Sequence, residues 1–227
     1  PMAKHGFTRN PVFRVAKQGA DFAELVLTPT EESRPQYPFE FAFHVTYTLT
    51  EKGYTSLFTV ENHSAAPMPF CVGGHPGFAC PMAAGERFED YQLVFPEAED
   101  GWNALAPGGG CIDGGETLSC LRDEGVIPLT HDWFDARDAL ILTHLKSRRV
   151  DLVHKTTGKG IRFSFPKMEV LAVWSKPGAN ADYLCLEPWH GMPDTADCSG
   201  NFEDKPFVTI LRSGEAWQGG FSVEALD

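Results

Sequence analysis

Two residues far apart in this chain have the types that proton transfer needs. Glu187 follows the apolar run Tyr183 to Leu186 and precedes Pro188, Trp189, His190, Gly191, Pro193 and Asp194. A strand that closes on one acid beside aromatic rings and prolines puts a single charge at the lip of a rigid, partly apolar cavity. Burial among such rings raises a carboxylate's pKa toward neutrality, where it can both take and return a proton. The second residue is His75, set between Gly73-Gly74 and Pro76, with a freer backbone on one side and a fixed φ on the other. An imidazole is the ordinary general acid near neutral pH. Each residue also has a plainer reading, Glu187 as the first polar residue of a loop and Gly-Gly-His-Pro as a structural turn. Taken together they supply one base and one acid, and the fold must bring them to one place.

Composition limits what that place can bind. The 227 residues are 42% hydrophobic and 22% charged, ordinary globular values, with no linker-like tract, so residues 1–227 are expected to form a single domain. A net charge of −12 and a pI near 5.1 give no basic face to offset phosphate repulsion, which argues against nucleic-acid and anionic-membrane partners. A neutral small molecule is the better ligand. No apolar run approaches the roughly 18 residues of a membrane span, and no signal peptide is expected ahead of the fold. The six cysteines (Cys71, Cys80, Cys111, Cys120, Cys185 and Cys198) contain no C-x-x-C pair and do not cluster with histidines along the sequence. The expectation is therefore no metal and no disulfide, with free buried thiols that fit a reducing, cytoplasmic setting.

The elements that must position the pair read as β almost throughout. Phe39 to Leu49 alternates with Phe39, Phe41, Phe43, Val45, Tyr47 and Leu49 on one face, a period of two that no helix would bury on one stripe. Glu51-Lys52-Gly53 turns this strand into another, Tyr54 to Glu61. Further strands are expected over Phe13–Ala16, Ala23–Thr28, Phe88–Phe95, Ala139–Leu145, Arg149–Lys155, Gly160–Phe165, Val170–Ser175, Tyr183–Leu186, Phe207–Leu211 and Trp217–Glu224. Gly108, Gly109 and Gly110 mark a turn in a loop-rich middle section, Leu118 to Leu129 reads as irregular with one strand end near its close, and Thr130 to Arg137 holds a helical turn. Short strands punctuated every eight to twelve residues or so indicate a large β-sandwich.

Four stretches in order resemble the aldose 1-epimerases, the galactose mutarotase-like proteins, and in particular their shorter bacterial branch. They are His5-Gly6-Phe7-Thr8-Arg9; Asn62 to Phe78 with its Gly-Gly-His-Pro; Asp138-Ala139-Leu140-Ile141 with Ser147-Arg148; and Trp174-Ser175 followed by Cys185-Leu186-Glu187-Pro188-Trp189. The resemblance implies an all-β, twisted supersandwich of the galactose mutarotase kind and an isomerase that interconverts the α and β anomers of a free hexose. Glu187 would be the general base and His75 the general acid. His5, Arg9 and Asp138 would hold sugar hydroxyls, and Trp174 or Trp189 would offer a stacking surface. Hemiacetal opening needs only an acid and a base, so no cofactor is implied.

Other roles compete for several of these residues. Arg9 could serve a scaffold ion pair, Asp132 and Asp135 compete with Asp138, either tryptophan could be core, and His190 is a further candidate sugar contact. His63, His131, His144 and His154 read as surface or strand-face residues. The resemblance also implies that the family's first strands, which precede the His-Gly-Phe segment, are absent here. A sandwich edge left open in that way favours a homodimer. Two alternatives stand beside the free-hexose epimerase: a hexose-6-phosphate epimerase, and a carbohydrate-binding sandwich with no catalysis.

Overall fold

The long alternation beginning at Phe39 becomes part of a four-stranded meander. The computed structural model describes residues 5–107, 110–117 and 125–227. Within them, β1 (Arg14–Gln18), β2 (Phe22–Leu27), β3 (Phe41–Thr50) and β4 (Gly53–Asn62) pair antiparallel in sequence order. Phe41, Phe43 and Val45 are buried on one face of β3, while Tyr47 and Leu49 on that same face are 43% and 63% exposed. Periodicity assigned the face correctly. It could not say how far the covering layer extends.

The chain then crosses between layers. Three short strands, β5 (Met68–Phe70), β6 (Val72–Gly73) and β7 (Gly77–Ala79), carry the glycine-rich segment, and β8 (Tyr91–Val94), β9 (Trp102–Ala104), β10 (Gly115–Thr117) and β11 (Val126–Pro128) follow. A short helix, α1 (Asp132–Arg137), leads into β12 (Ala139–Thr143), β13 (Arg149–His154), β14 (Gly160–Ser164), β15 (Val170–Trp174), β16 (Tyr183–His190), β17 (Thr209–Leu211) and β18 (Ala216–Leu226). One sheet runs β1-β2-β3-β4-β18-β14-β13-β8-β11. The other runs β10-β9-β12-β15-β16-β6, with β7 also on β16, and β17 pairs with β5 alone. All the strand pairs are antiparallel.

The main core lies between the two large sheets. Leu140, Leu142, Leu171, Val173, Leu184 and Leu186 from the second sheet join Phe163, Phe165, Leu93 and Leu152 from the region of the first, all fully buried. Each such side chain contributes about 1.5–3 kcal/mol by leaving water. A second, smaller cluster of Ala104, Ala106, Ile112, Ile141 and Val170 sits on the opposite face of β9, β12 and β15. The second sheet is therefore apolar on both faces in part, and its outer face is where polar residues of β16 emerge.

Most expected strands form within a residue or two of the stated bounds. The strand expected from Phe88 begins only at Tyr91, because Phe88–Asp90 is a 3-10 turn whose Asp90 carboxylate accepts the Arg87 N–H at 2.8 Å. The strands β5, β6, β7, β9 and β10 were not expected; at two or three residues they carry no period and exist through tertiary pairing. The strand expected over Tyr183 to Leu186 continues through Glu187 to His190, so Glu187 lies inside a strand and not in a loop. The readings at Gly108, Gly109 and Cys120, and those for Leu118 to Glu124, fall outside the described residues. No helix among the described residues is long and apolar enough to cross a membrane.

Candidate active site

Strand β16 alternates faces, with Leu184 and Leu186 in the main core and Cys185 and Glu187 on the outer face. The carboxylate is nonetheless only 5% exposed. Opposite it lies the segment between β6 and β7. The Gly74 N–H donates to the Pro188 carbonyl at 3.0 Å, and the Leu186 N–H donates to the Pro76 carbonyl at 3.2 Å. These two bonds bracket His75 on one segment and Glu187 on the other. His75 Nε2 is 3.0 Å from Glu187 Oε1, and the His75 side chain is 45% exposed.

The reason for Gly73-Gly74 differs from the one read in the sequence. Neither adopts a positive φ. A Cβ on Gly73 would stand 2.7 Å from the Trp189 ring, and one on Gly74 would stand 2.9 Å from Phe221. The glycines thus allow close approach to β16 at Gly73 and to β18 at Gly74. Asn62 anchors the start of the same segment. Its buried amide donates to the carbonyls of Ala66 and Leu211, both at 2.9 Å, and its oxygen accepts the Ser64 N–H at 2.8 Å.

Aromatic side chains border the pair on one side. The His5 ring meets His75 edge-on at 5.7 Å, Trp174 meets His75 at 5.9 Å, and Tyr183 lies 5.8 Å beyond Trp174. Register explains the Trp174 position, since Trp174 pairs with Cys185 and Ala172 pairs with Glu187, so all four share the outer face. Trp189 instead packs on the smaller cluster and on Gly73. Arg9 is exposed and makes no hydrogen bond or ion pair among the described residues.

Asp138 caps α1 with φ 64°, a conformation that costs a non-glycine residue about 1–3 kcal/mol and clusters at functional sites. It precedes Ala139, the partner of Trp174, and lines a cavity of about 690 Å³ with Ala106, Glu116, Asp135, Arg137 and Pro177. Neither His75 nor Glu187 lines that cavity, so the pair lies outside it. Of the competing acids, Asp135 accepts the Gly178 N–H at 2.7 Å, and Asp132 does not line the cavity. Arg137 bonds Glu116 at 2.6 Å and holds its carboxyl below the ordinary range.

Two expectations need correction. His190, a candidate sugar contact, is buried, with Nδ1 2.6 Å from Glu169, Nε2 2.7 Å from Thr209 and its ring stacked on Trp217 at 4.4 Å. Both nitrogens are engaged, so no atom is left for a ligand. The second correction concerns the cysteines. Cys185 does meet a histidine, because the Cys185–Gly77 register lays β7 on β16. Ligand atoms of His75, Cys185 and Glu187 all lie within 4.8 Å of one another, a grouping able to hold a metal ion. Sequence spacing hid it; the one available signal was Cys185 standing two residues before Glu187, the interval that puts both on one strand face.

The two side chains touch, with no gap between the carboxylate and the ring.

Comparison with known proteins identifies the family. Residues 1–218 match the aldose 1-epimerase family. The chain is 33% identical over 208 residues to the plasmid-encoded protein LacX of Lactococcus lactis, covering 91% of this chain and 69% of LacX. It superposes on a galactose mutarotase related enzyme of Lactobacillus acidophilus with a TM-score of 0.91 at 30% identity, covering 100% of this chain and 75% of that one. A galactose mutarotase-like protein of Lactobacillus casei gives 0.89 at 27% identity, with 100% and 77% covered. By sequence and by fold, the chain belongs to the aldose 1-epimerase family.

Proposed function

We propose that this protein is a mutarotase that interconverts the α and β anomers of a free hexose at the Glu187–His75 pair. Family membership supports an isomerase of this type. The observation that carries the reading is the 3.0 Å contact between a buried carboxylate and a half-exposed imidazole, bracketed by two backbone hydrogen bonds.

Glu187 as carboxylate takes the proton of the anomeric hydroxyl while His75 as imidazolium protonates the ring oxygen. The bond from C1 to the ring oxygen breaks and C1 becomes an aldehyde. Rotation about C1–C2 presents the other face, the ring hydroxyl attacks, and both protons return. Each group in such a role contributes about 10²- to 10⁴-fold. Substrate entry requires the His75–Glu187 contact to open, and the half-exposed ring is the partner that can swing. Trp174 supplies a flat apolar surface beside the pair, and His5, Arg9 and Asp138 supply hydroxyl contacts around it. Opening and closing a hemiacetal needs only this acid and this base.

The test is polarimetry of freshly dissolved α-D-glucose and α-D-galactose. The protein should speed equilibration, and Glu187→Gln and His75→Asn should each remove most of that acceleration. No acceleration of either sugar by the folded protein would refute the reading. Glucose 6-phosphate as competitor separates the alternatives: stronger competition than free glucose favours the phosphate substrate. Hexose binding unaffected by the double substitution, with no turnover before it, favours a binding module.

A further inference from the structure

The acid and base share their surroundings with a thiol that sugar chemistry leaves unused. Cys185 and Glu187 project from the same face of β16, and Cys185 pairs with Gly77, two residues past His75. One ligand atom from each of the three lies within 4.8 Å of the other two. We propose that His75, Cys185 and Glu187 form a binding site for a thiophilic divalent cation, of which Zn²⁺ is the type, and that the bound ion excludes sugar.

The donor set is the argument. Thiolate, imidazole and carboxylate together suit Zn²⁺ and discriminate against Mg²⁺ and Ca²⁺, which take oxygen. Three protein ligands leave a fourth position open, here toward the solvent side on which His75 is 45% exposed. Zinc holds such donors at about 2.0–2.3 Å, so the 3.0 Å His75–Glu187 contact must widen while any wider spacing in the group closes. Cys185 and Glu187 are fixed on a paired central strand, with residue exposures of 5% and 4%. The partly exposed His75 ring therefore makes the adjustment, and the 3.0 Å ion pair opens to admit the metal.

A divalent cation at this position would offset the Glu187 charge and ionise the thiol it binds. Once coordinated, the carboxylate oxygen and imidazole nitrogen are no longer available to move protons. Only this inhibitory consequence rests on the proposed mutarotase reading; metal binding does not.

Co²⁺ is the probe, added to the full chain, with Zn²⁺ as competitor. One equivalent should produce a near-ultraviolet thiolate-to-Co²⁺ charge-transfer band that Zn²⁺ displaces. Cys185→Ser should abolish the band, and His75→Asn should weaken Co²⁺ binding roughly tenfold or more. Cys111→Ser and Cys198→Ser, both at exposed positions, should keep it. Zn²⁺ should slow anomer equilibration, and added hexose should weaken apparent Zn²⁺ affinity. Absence of the band, or its survival in Cys185→Ser, overturns the proposal. A Cys185-dependent band in a protein without mutarotase activity upholds the metal site and sinks the sugar reading alone.

Discussion

Strand β16 and its neighbours carry two histidine–glutamate pairs built in opposite senses. At the Glu187 pair the carboxylate is 5% exposed and the imidazole 45%; at His190–Glu169 the imidazole is 7% exposed and the carboxylate 33%. His190 is held at both ring nitrogens and stacked on Trp217, with the Phe70 ring tilted beside it. His75 has edge contacts with His5 and Trp174 and an open side. A buried acid with a half-exposed partner can exchange protons with a visitor. A buried imidazole with every polar atom engaged can only hold strands together.

That contrast should be sharpest in His75→Asn set beside His190→Ala. His75→Asn should lower the polarimetric rate by about 10²- to 10⁴-fold and leave unfolding by urea within about 0.5 kcal/mol of the parent. His190→Ala should do the reverse, costing about 3 kcal/mol in urea unfolding through a cavity and two stranded partners, while the folded protein keeps its rate. Equal loss of turnover in both variants would erase the distinction. Glu169→Gln should cost less, about 1 kcal/mol by the same unfolding measurement, because its carboxylate already reaches water.

The smallest effect concerns reactivity, with stability unchanged. Thiol reagents attack thiolates, so a raised pKa suppresses labelling at ordinary pH. Cys71 is pushed up to about 11, and Cys80 and Cys185 to about 12, chiefly by burial. Native protein with a chromogenic disulfide at pH 8 should therefore label the exposed Cys111 and Cys198 first and leave these three for unfolding. Rapid labelling of Cys185 would mean that the Glu187 side of the site is wetter than its burial indicates.

What the sequence determined by itself was the β character of the chain and the two residues proposed here as acid and base. Period-two alternation over Phe39 to Leu49 and the repeated turns at glycine and proline are local properties, so they survive without knowledge of partners. The types of Glu187 and His75, each beside structure-fixing residues, also marked them without a fold. Local pattern misjudged what depends on neighbours. It stopped β16 at Leu186, since Pro188 reads as a breaker, although its missing N–H is harmless where the pairing with Leu171 does not use it. It gave Gly73 and Gly74 a reason in backbone freedom, when the cause is the Trp189 and Phe221 rings above them.

Tertiary structure alone decided the contact itself. Residues 75 and 187 meet because β6 and β7 both pair with β16, and the same pairing draws Cys185 into the group and turns His190 inward. Register between distant strands is fixed by which apolar residues fill the common core, a sum over the whole chain. No window around either residue contains that sum, so the two chemical groups could be named from the sequence while their touching could not.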